Sequence, residues 1–315
     1  MNSELLSFII PAYNEEKYIG KTISKIKEYV PSRYRYEIIV VDHGSTDKTE
    51  EIAIKMGAKV ISRNDGTIAS LRNCGANIAN GDIFIFLDSD VSLTQQWGDN
   101  IAPVVQSLNE GARLLTGSWY TISEDPNWIE KYWFEPLQKI NNTHINSGHM
   151  IISRSQFFEL GGFDDKLETG EDYDISMRAK TLNIQVIDNH DLMVIHEGYP
   201  NGLWEFMLRE YWHGKGDVLN IRSVLRSKVA LLSFIFMLLH LMLLLILASM
   251  TGMQLAYACI FCIILICFIS AFIKYRHETL KVLCVNTVLY YFYFTSRAAT
   301  LLMRIINIGI QKRQR

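Results

Sequence analysis

Residues 229–250 (VALLSFIFMLLHLMLLLILASM) run for 22 positions without a formally charged side chain. At ~1.5 Å rise per residue such a helix is roughly 33 Å long, enough to cross a hydrocarbon core. Residues 255–273 supply 19 more apolar positions after a short uncharged link, Thr251–Gln254. Two such runs in tandem are hard to bury in a soluble domain of this size, so the chain is expected to carry a transmembrane hairpin at 229–250 and 255–273. Arg222, Arg226 and Lys228 precede the first run, and Lys274, Arg276 and Lys281 follow the second. Positive flanks stay cytoplasmic, which places both ends of the hairpin on that side. A third apolar stretch, 282–296, leads into Arg297 and Arg304. If it spanned, Lys312, Arg313 and Arg315 would lie outside, so an interfacial or re-entrant placement is preferred for this third helix, 282–304, with spanning as the alternative.

The charge is as uneven as the hydropathy. After Lys228, eight Lys/Arg face a single acid, Glu278, so residues 229–315 carry +7 and residues 1–228 carry −9. A basic apolar tail suits anionic lipid headgroups, and an acidic front domain without a basic patch argues against nucleic-acid binding. The 49% hydrophobic content excludes a disordered chain. Cys74 stands alone in the front domain, while Cys259, Cys262, Cys267 and Cys284 lie in the tail. No disulfide framework or metal pattern is visible, and the CxxC spacing at Cys259 and Cys262 reads as filler in an apolar helix. The N-terminal MNSELLSFIIPAYNEE has no charged n-region and no long apolar run, so it is not read as a signal peptide. The front domain is therefore expected to stay cytoplasmic, in a multi-pass protein of the inner (cytoplasmic) membrane.

Within residues 1–228, three short apolar runs end in polar turns: 5–10 (LLSFII) before Pro11, 37–41 (EIIVV) before Asp42-His43-Gly44-Ser45, and 82–87 (DIFIFL) before Asp88-Ser89-Asp90. They read as buried strands of a parallel sheet. Helical patterns at 15–29, 46–56 and 67–80 separate them, giving a Rossmann-like β-α-β-α-β half. The polar turns then gather beyond the carboxyl ends of the strands, where such sheets bind ligands. Further on, 186–198 reads as a strand and 203–212 as a helix.

Asp88-Ser89-Asp90 is the sharpest chemical feature. In extended chain, positions i and i+2 project to one side. Two carboxylates so placed repel unless a cation or hydrogen bonds hold them, and hard divalent cations take carboxylate and phosphate oxygens together. A turn cap is the competing reading of a lone DxD.

PAYNEE (11–16), VDHGSTD (41–47), RNCGANIANGDIFIFLDSD (72–90), GGFDDKLETGEDYDISMR (161–178) and the His196 region together resemble the family 2 glycosyltransferases of the GT-A fold, in their membrane-anchored bacterial form. The resemblance covers roughly residues 5–215. It implies a mostly parallel α/β GT-A domain over 1–228, followed by a membrane domain over 229–315. It implies that Pro11, Tyr13 and Glu15 line the nucleotide site and that Asp42 accepts from the base, most often uracil. His43 replaces the more usual second Asp of that turn. Arg72 would approach the diphosphate, Asp88 the ribose and metal, and Asp90 and His196 would be metal ligands for Mg2+ or Mn2+. Glu171 and Asp172 resemble the acidic catalytic pair, with Asp172 as the base that takes the acceptor hydroxyl's proton. A helix N-terminal pair before DISMRAK is the competing reading of those two carboxylates. Arg209 and Trp212 would belong to a helix that closes on the diphosphate, although Phe206 stands where processive synthases carry Gln. Gly148 resembles an acceptor-side glycine loop.

The implied function is inverting transfer of a sugar from a nucleotide-diphosphate-sugar, with UDP-sugar as the expected donor, to a membrane lipid or polyprenyl-linked saccharide, in cell-surface polysaccharide or glycolipid synthesis. A nucleotide-sugar-binding pseudoenzyme and a nucleotidyltransferase remain as alternatives. The latter needs a glycine-rich phosphate loop near the first strand, which PAYNEE is not. A transport accessory protein would not need Asp88, Asp90 and Asp172.

Overall fold

The computed structural model describes residues 5–123, 125–139, 143–218, 224–225, 227–249 and 252–313. Arg222, Arg226, Thr251 and Arg315, used above to orient the hairpin, lie outside that set. The chain divides into two compact units, residues 1–125 with 138–198, and residues 126–137 with 199–315.

The first unit is built on a seven-stranded sheet. Its strands are β1 (Leu5–Ala12), β2 (Arg35–Asp42), β3 (Lys59–Ser62), β4 (Ile83–Leu87), β6 (Leu114–Gly117), β8 (His149–Ser153) and β9 (Gln185–Asp188), in the order β3-β2-β1-β4-β8-β6-β9. Within it β8 runs antiparallel to both neighbours, and the other pairings are parallel. A second, three-stranded sheet joins β5 (Val91–Leu93), β10 (Val194–His196) and β7 (Tyr120–Thr121). The three strands read from sequence are thus β1, β2 and β4. Their apolar runs are continuous because helices cover both faces.

The helices follow the apolar spacing. In α1 (Ile19–Tyr29), Ile19, Ile23 and Ile26 share a face and are fully buried. Thr67 caps α3 (Ile68–Ile78) by accepting from the Ser70 N–H, and Thr94 caps α4 (Gln95–Asn109) by accepting from the Trp97 N–H. Gly75 of α3 lies on the sheet so closely that a Cβ there would meet Ile9 Cγ2 at 2.5 Å. The remaining helices of this unit are α2 (Thr49–Lys55), α5 (Arg154–Glu159) and α6 (Glu171–Thr181).

Two expectations are corrected. The helix expected from residue 15 begins at Ile19, because residues 13–18 make a turn in which Asn14 adopts φ 56° and the Glu15 carbonyl accepts from the Tyr18 and Ile19 N–H groups. The single strand expected over 186–198 is two strands in different sheets. Asn189 breaks it, its side chain accepting from the Asp191 N–H at 3.0 Å and its carbonyl from the Leu192 N–H.

The second unit holds α7 (Leu203–Asp217), α8 (Lys228–Ser249), α9 (Met253–Tyr275), α10 (Leu280–Arg313) and the segment 126–137, which includes a π-helical turn at Glu130–Phe134. By length and composition α8 and α9 could each cross a membrane, with a mean hydropathy of 2.8 over their most apolar windows. Only 22% and 28% of those windows are buried, so their apolar surface is not accounted for by a protein core. The third apolar stretch belongs to α10, which runs unbroken from Leu280 to Arg313 and lacks the chain reversal of a re-entrant segment. The unit is centred on Trp133, whose ring packs against Phe206, Tyr275, Tyr290 and Tyr293.

Candidate active site

The carboxyl ends of β1, β2 and β4 deliver their turns to one edge of the sheet. The parallel registers Ala12↔Asp42 and Ile9↔Phe86 fix this. Asp88 follows β4 directly, and its N–H donates to the Gly148 carbonyl at 3.0 Å. Asp90 precedes β5, and its carbonyl accepts from the Glu197 N–H at 2.8 Å, which brings the His196 strand alongside.

Arg72 is the organising cation. Its Nη2 donates to Asp88 Oδ1 at 2.6 Å and its Nη1 to Glu171 Oε1 at 2.8 Å, and its side chain is only 1% exposed. Ser147 Oγ adds a 2.9 Å hydrogen bond to the same Glu171 oxygen. Residues 72, 88, 147 and 171, distant in sequence, therefore meet in one charged cluster. Glu171 is buried and committed to this cluster.

Asp172 differs from its neighbour. Its side chain keeps 18% exposure, and its oxygen lies 3.9 Å from His144 Nε2. Burial holds its carboxyl above the ordinary range, the charge of Glu171 adds to that, and His144 opposes it. Both residues sit in the first turn of α6, after Gly170 at φ 83°, so the helix dipole also favours their charge. The two carboxylates therefore stand at a helix N-terminus, as the competing reading of this pair expects.

Asp90 Oδ2 stands 3.7 Å from His196 Nε2, both side chains being less than one-fifth exposed. Glycines press on these carboxylates. A Cβ on Gly148 would come within 2.3 Å of Asp88 Oδ2, and one on Gly198 within 1.8 Å of Asp90 Oδ2. Burial pushes the Glu15 carboxyl up to about 8, the charges of Asp90, Asp88 and Asp47 add to it, and a hydrogen bond with Ser89 opposes it. No ready-made group of three or more His, Cys, Asp or Glu ligands occurs among the described residues. The donors nonetheless fit a divalent cation. Asp90 Oδ2 and His196 Nε2 face each other at 3.7 Å, with Asp88 two residues away, and carboxylate oxygens with an imidazole nitrogen are donors a divalent cation takes.

On the nucleotide side, Pro11 is buried in β1, while the Tyr13 ring is 55% exposed and meets His43 edge-on at 5.9 Å. His43 Nδ1 lies 3.0 Å from the Arg63 carbonyl. Asp42 is 1% exposed, and its carboxylate accepts from the Gly44 N–H, the Ser45 N–H and Ser45 Oγ, which shapes the turn. Arg209 and Trp212 belong to α7 in the second unit, with the Arg209 side chain 35% exposed and Trp212 39% exposed.

His144, Ser147 and Gly198 escaped the sequence reading. Gly198 follows His196 by two positions in VIHEG, a spacing that was available. Nothing local to His144 or Ser147 announces their partners.

Residues 7–164 match the family description "Glycosyl transferase family 2", about half of the chain. The chain belongs to glycosyltransferase family 2. Among curated relatives, glycosyltransferase AglE of Haloferax volcanii is 27% identical over 226 residues, covering 68% of this chain and 73% of that protein. An uncharacterized glycosyltransferase of Rickettsia prowazekii is 26% identical over 234 residues, covering 67% and 71%. A mannosyltransferase of Pyrobaculum calidifontis, solved with GDP-Man and Mn2+, superposes over 96% of this chain and 88% of its own with TM-score 0.58 at 16% identity. GalNAc-T7, solved with UDP, GalNAc and Mn2+, superposes over 68% of this chain and 50% of its own with TM-score 0.51 at 19% identity. These neighbours share the GT-A fold with this family 2 glycosyltransferase. A nucleotide-sugar donor is supported for it, and the bound Mn2+ of both neighbours indicates divalent metal use in such proteins.

Proposed function

We propose that this glycosyltransferase is inverting and metal-dependent, uses a UDP-sugar, and glycosylates a membrane-associated, polyprenyl-linked acceptor in cell-surface polysaccharide or glycolipid synthesis. The observation that carries the reading is the Arg72 bridge between Asp88 and Glu171, which joins the donor-side acid to the α6 turn bearing Asp172. Residues 1–228 act as the catalytic part and 229–315 as the membrane part, with the catalytic part on the cytoplasmic side of the inner membrane.

Tyr13 and His43 offer an exposed aromatic pair for the base, on the turn that Asp42 braces and Pro11 begins. Asp88, Asp90 and His196 would hold the divalent cation. The cation, when bound, neutralises the diphosphate that leaves with the nucleotide. Arg72, buried between two carboxylates, fixes Asp88 and Glu171, and Glu171 in turn anchors the first turn of α6. Asp172 takes the proton of the acceptor hydroxyl as that oxygen attacks C1 of the sugar. Attack from the face opposite the leaving diphosphate inverts the configuration.

The apolar helices α8 and α9 support a membrane acceptor, since an enzyme held at the bilayer meets substrates there at high local concentration. The test is a panel of nucleotide-sugars with the full chain in lipid nanodiscs, with and without Mn2+ or Mg2+. Released nucleoside diphosphate and lipid-linked product are read together. Metal-dependent release with one UDP-sugar is expected, and equal release without metal removes the metal reading.

A further inference from the structure

The buried face of α1 carries one polar residue. Ile19, Ile23 and Ile26 fill the core, and Thr22, set among them, is equally without exposure. A helical threonine usually turns its hydroxyl back to the carbonyl of the preceding turn. Here the Thr22 hydroxyl donates at 2.7 Å to the carbonyl of Ser89, 67 residues further along the chain. Ser89 is the middle residue of Asp88-Ser89-Asp90.

Each carbonyl of that tripeptide has its own donor. The Asp88 carbonyl accepts from the Val91 N–H at 3.1 Å, the Ser89 carbonyl from Thr22, and the Asp90 carbonyl from the Glu197 N–H at 2.8 Å. The Asp88 N–H goes to the Gly148 carbonyl. The first of these bonds closes a turn within the segment, and the others tie its backbone to α1, to the end of β10 and to the chain before β8. Where a carboxylate can reach follows from where its Cα is held, so these bonds set the starting points of both aspartates.

Glu197 is held in turn by the residue beside Thr22. Lys21 Nζ lies 2.5 Å from Glu197 Oε1, with side-chain exposures of 48% and 12%. Glu197 directly follows His196, so Lys21 grips the strand end that carries the imidazole. Two adjacent residues in the first turn of α1 therefore reach both arms of the Asp88, Asp90 and His196 set. Carboxylates left to themselves repel and spread, and ligands held close before the cation arrives do not pay for ordering when it binds.

We propose that Thr22 and Lys21 are positioning residues for the divalent cation, Thr22 acting through the Ser89 carbonyl and Lys21 through Glu197. Neither side chain is itself a ligand. This role rests on the reading above in which Asp88, Asp90 and His196 hold the cation, and it names the part of the fold that sets their spacing.

The test counts Mn2+ bound to the full chain in lipid nanodiscs by electron paramagnetic resonance, with UDP present. Thr22→Val keeps the branched shape and removes the hydroxyl. It should weaken Mn2+ binding about 10–100-fold, the usual effect of losing a group that orients a ligand. Thr22→Ser, which restores a hydroxyl, should recover most of that loss. Lys21→Met, at a half-exposed position where folding is not at risk, should weaken binding about two- to fivefold. Saturating Mn2+ should bring donor turnover by Thr22→Val back toward the parent rate, which a general loosening of the domain would not allow. Parent-like Mn2+ affinity in Thr22→Val overturns the role of Thr22, as does equal weakening in Thr22→Val and Thr22→Ser. Parent-like affinity in Lys21→Met overturns that of Lys21. Asp90→Ala in the same assay separates the two readings. Loss of Mn2+ there, with none in Thr22→Val, defeats the positioning role alone. Mn2+ retained by Asp90→Ala defeats the cation site and this role with it.

Discussion

Arg72 Nη2 donates to Asp88 Oδ1 at 2.6 Å in a setting where the arginine is 1% exposed. The same guanidinium holds Glu171, 99 residues further along the chain. A buried cation between two carboxylates cannot be removed cheaply, because both acids are left unpaired. Arg72→Gln is expected to cost about 3–5 kcal/mol of stability. Its unfolding midpoint in urea, compared with the parent at constant pH, checks this. A loss under about 1 kcal/mol would mean that water or another cation replaces the guanidinium.

Asp172 is expected to set the acid limb of the rate profile. A base works only when deprotonated, so transfer falls as pH drops through its pKa. Burial and then Glu171 raise that pKa, which puts the limb above the ordinary carboxylate range. Asp172→Asn should keep donor binding and lose transfer by a factor on the order of 10²–10⁴. His144 opposes the upward shift from 3.9 Å. His144→Ala should therefore move the acid limb to higher pH, and a limb that stays in place would detach His144 from the base.

Gly198 offers a probe of Asp90 that leaves the carboxylate in the chain. A Cβ at this position would sit 1.8 Å from Asp90 Oδ2, closer than any real contact, so the carboxylate must turn away. Gly198→Ala should then reproduce much of Asp90→Ala, which is expected to abolish metal-dependent binding of the nucleotide-sugar while the protein still folds. Titration calorimetry with Mn2+ present and absent reads both variants. Normal binding by Asp90→Ala would take the metal away from this carboxylate.

The three parallel strands were legible because LLSFII, EIIVV and DIFIFL are buried on both faces and end in polar turns. The DxD was legible because it sits on such an end. The short strands β3, β5 and β7 carry no comparable run, and their pairing is set by distant partners. The break at Asn189 depends on a side-chain hydrogen bond within an otherwise strand-like segment. Within the site, the residue types were readable but their pairings were not. Arg72 was expected at a diphosphate, and only the packing of α3 on β1 and β2 brings it to the carboxylates of Asp88 and Glu171 that hold it.

His149 is a core residue, fully buried in β8, and its Nε2 accepts from Trp97 Nε1 at 3.0 Å. That bond requires the neutral ring with the proton on Nδ1. Burial pushes its pKa down to about 3, from the ordinary 6.5. The sign follows: a folded-state pKa below the unfolded value means that the unfolded chain binds the proton first. The stability contribution is complete above about 6.5 and is lost as pH falls toward 3, at roughly 1.4 kcal/mol per pH unit. In His149→Gln the amide oxygen can still accept from Trp97, but nothing titrates. Comparing unfolding free energies at pH 7 and pH 5, the parent should lose about 2 kcal/mol more than this variant. Equal losses in the two proteins would show that His149 already shares its proton with water in the folded state.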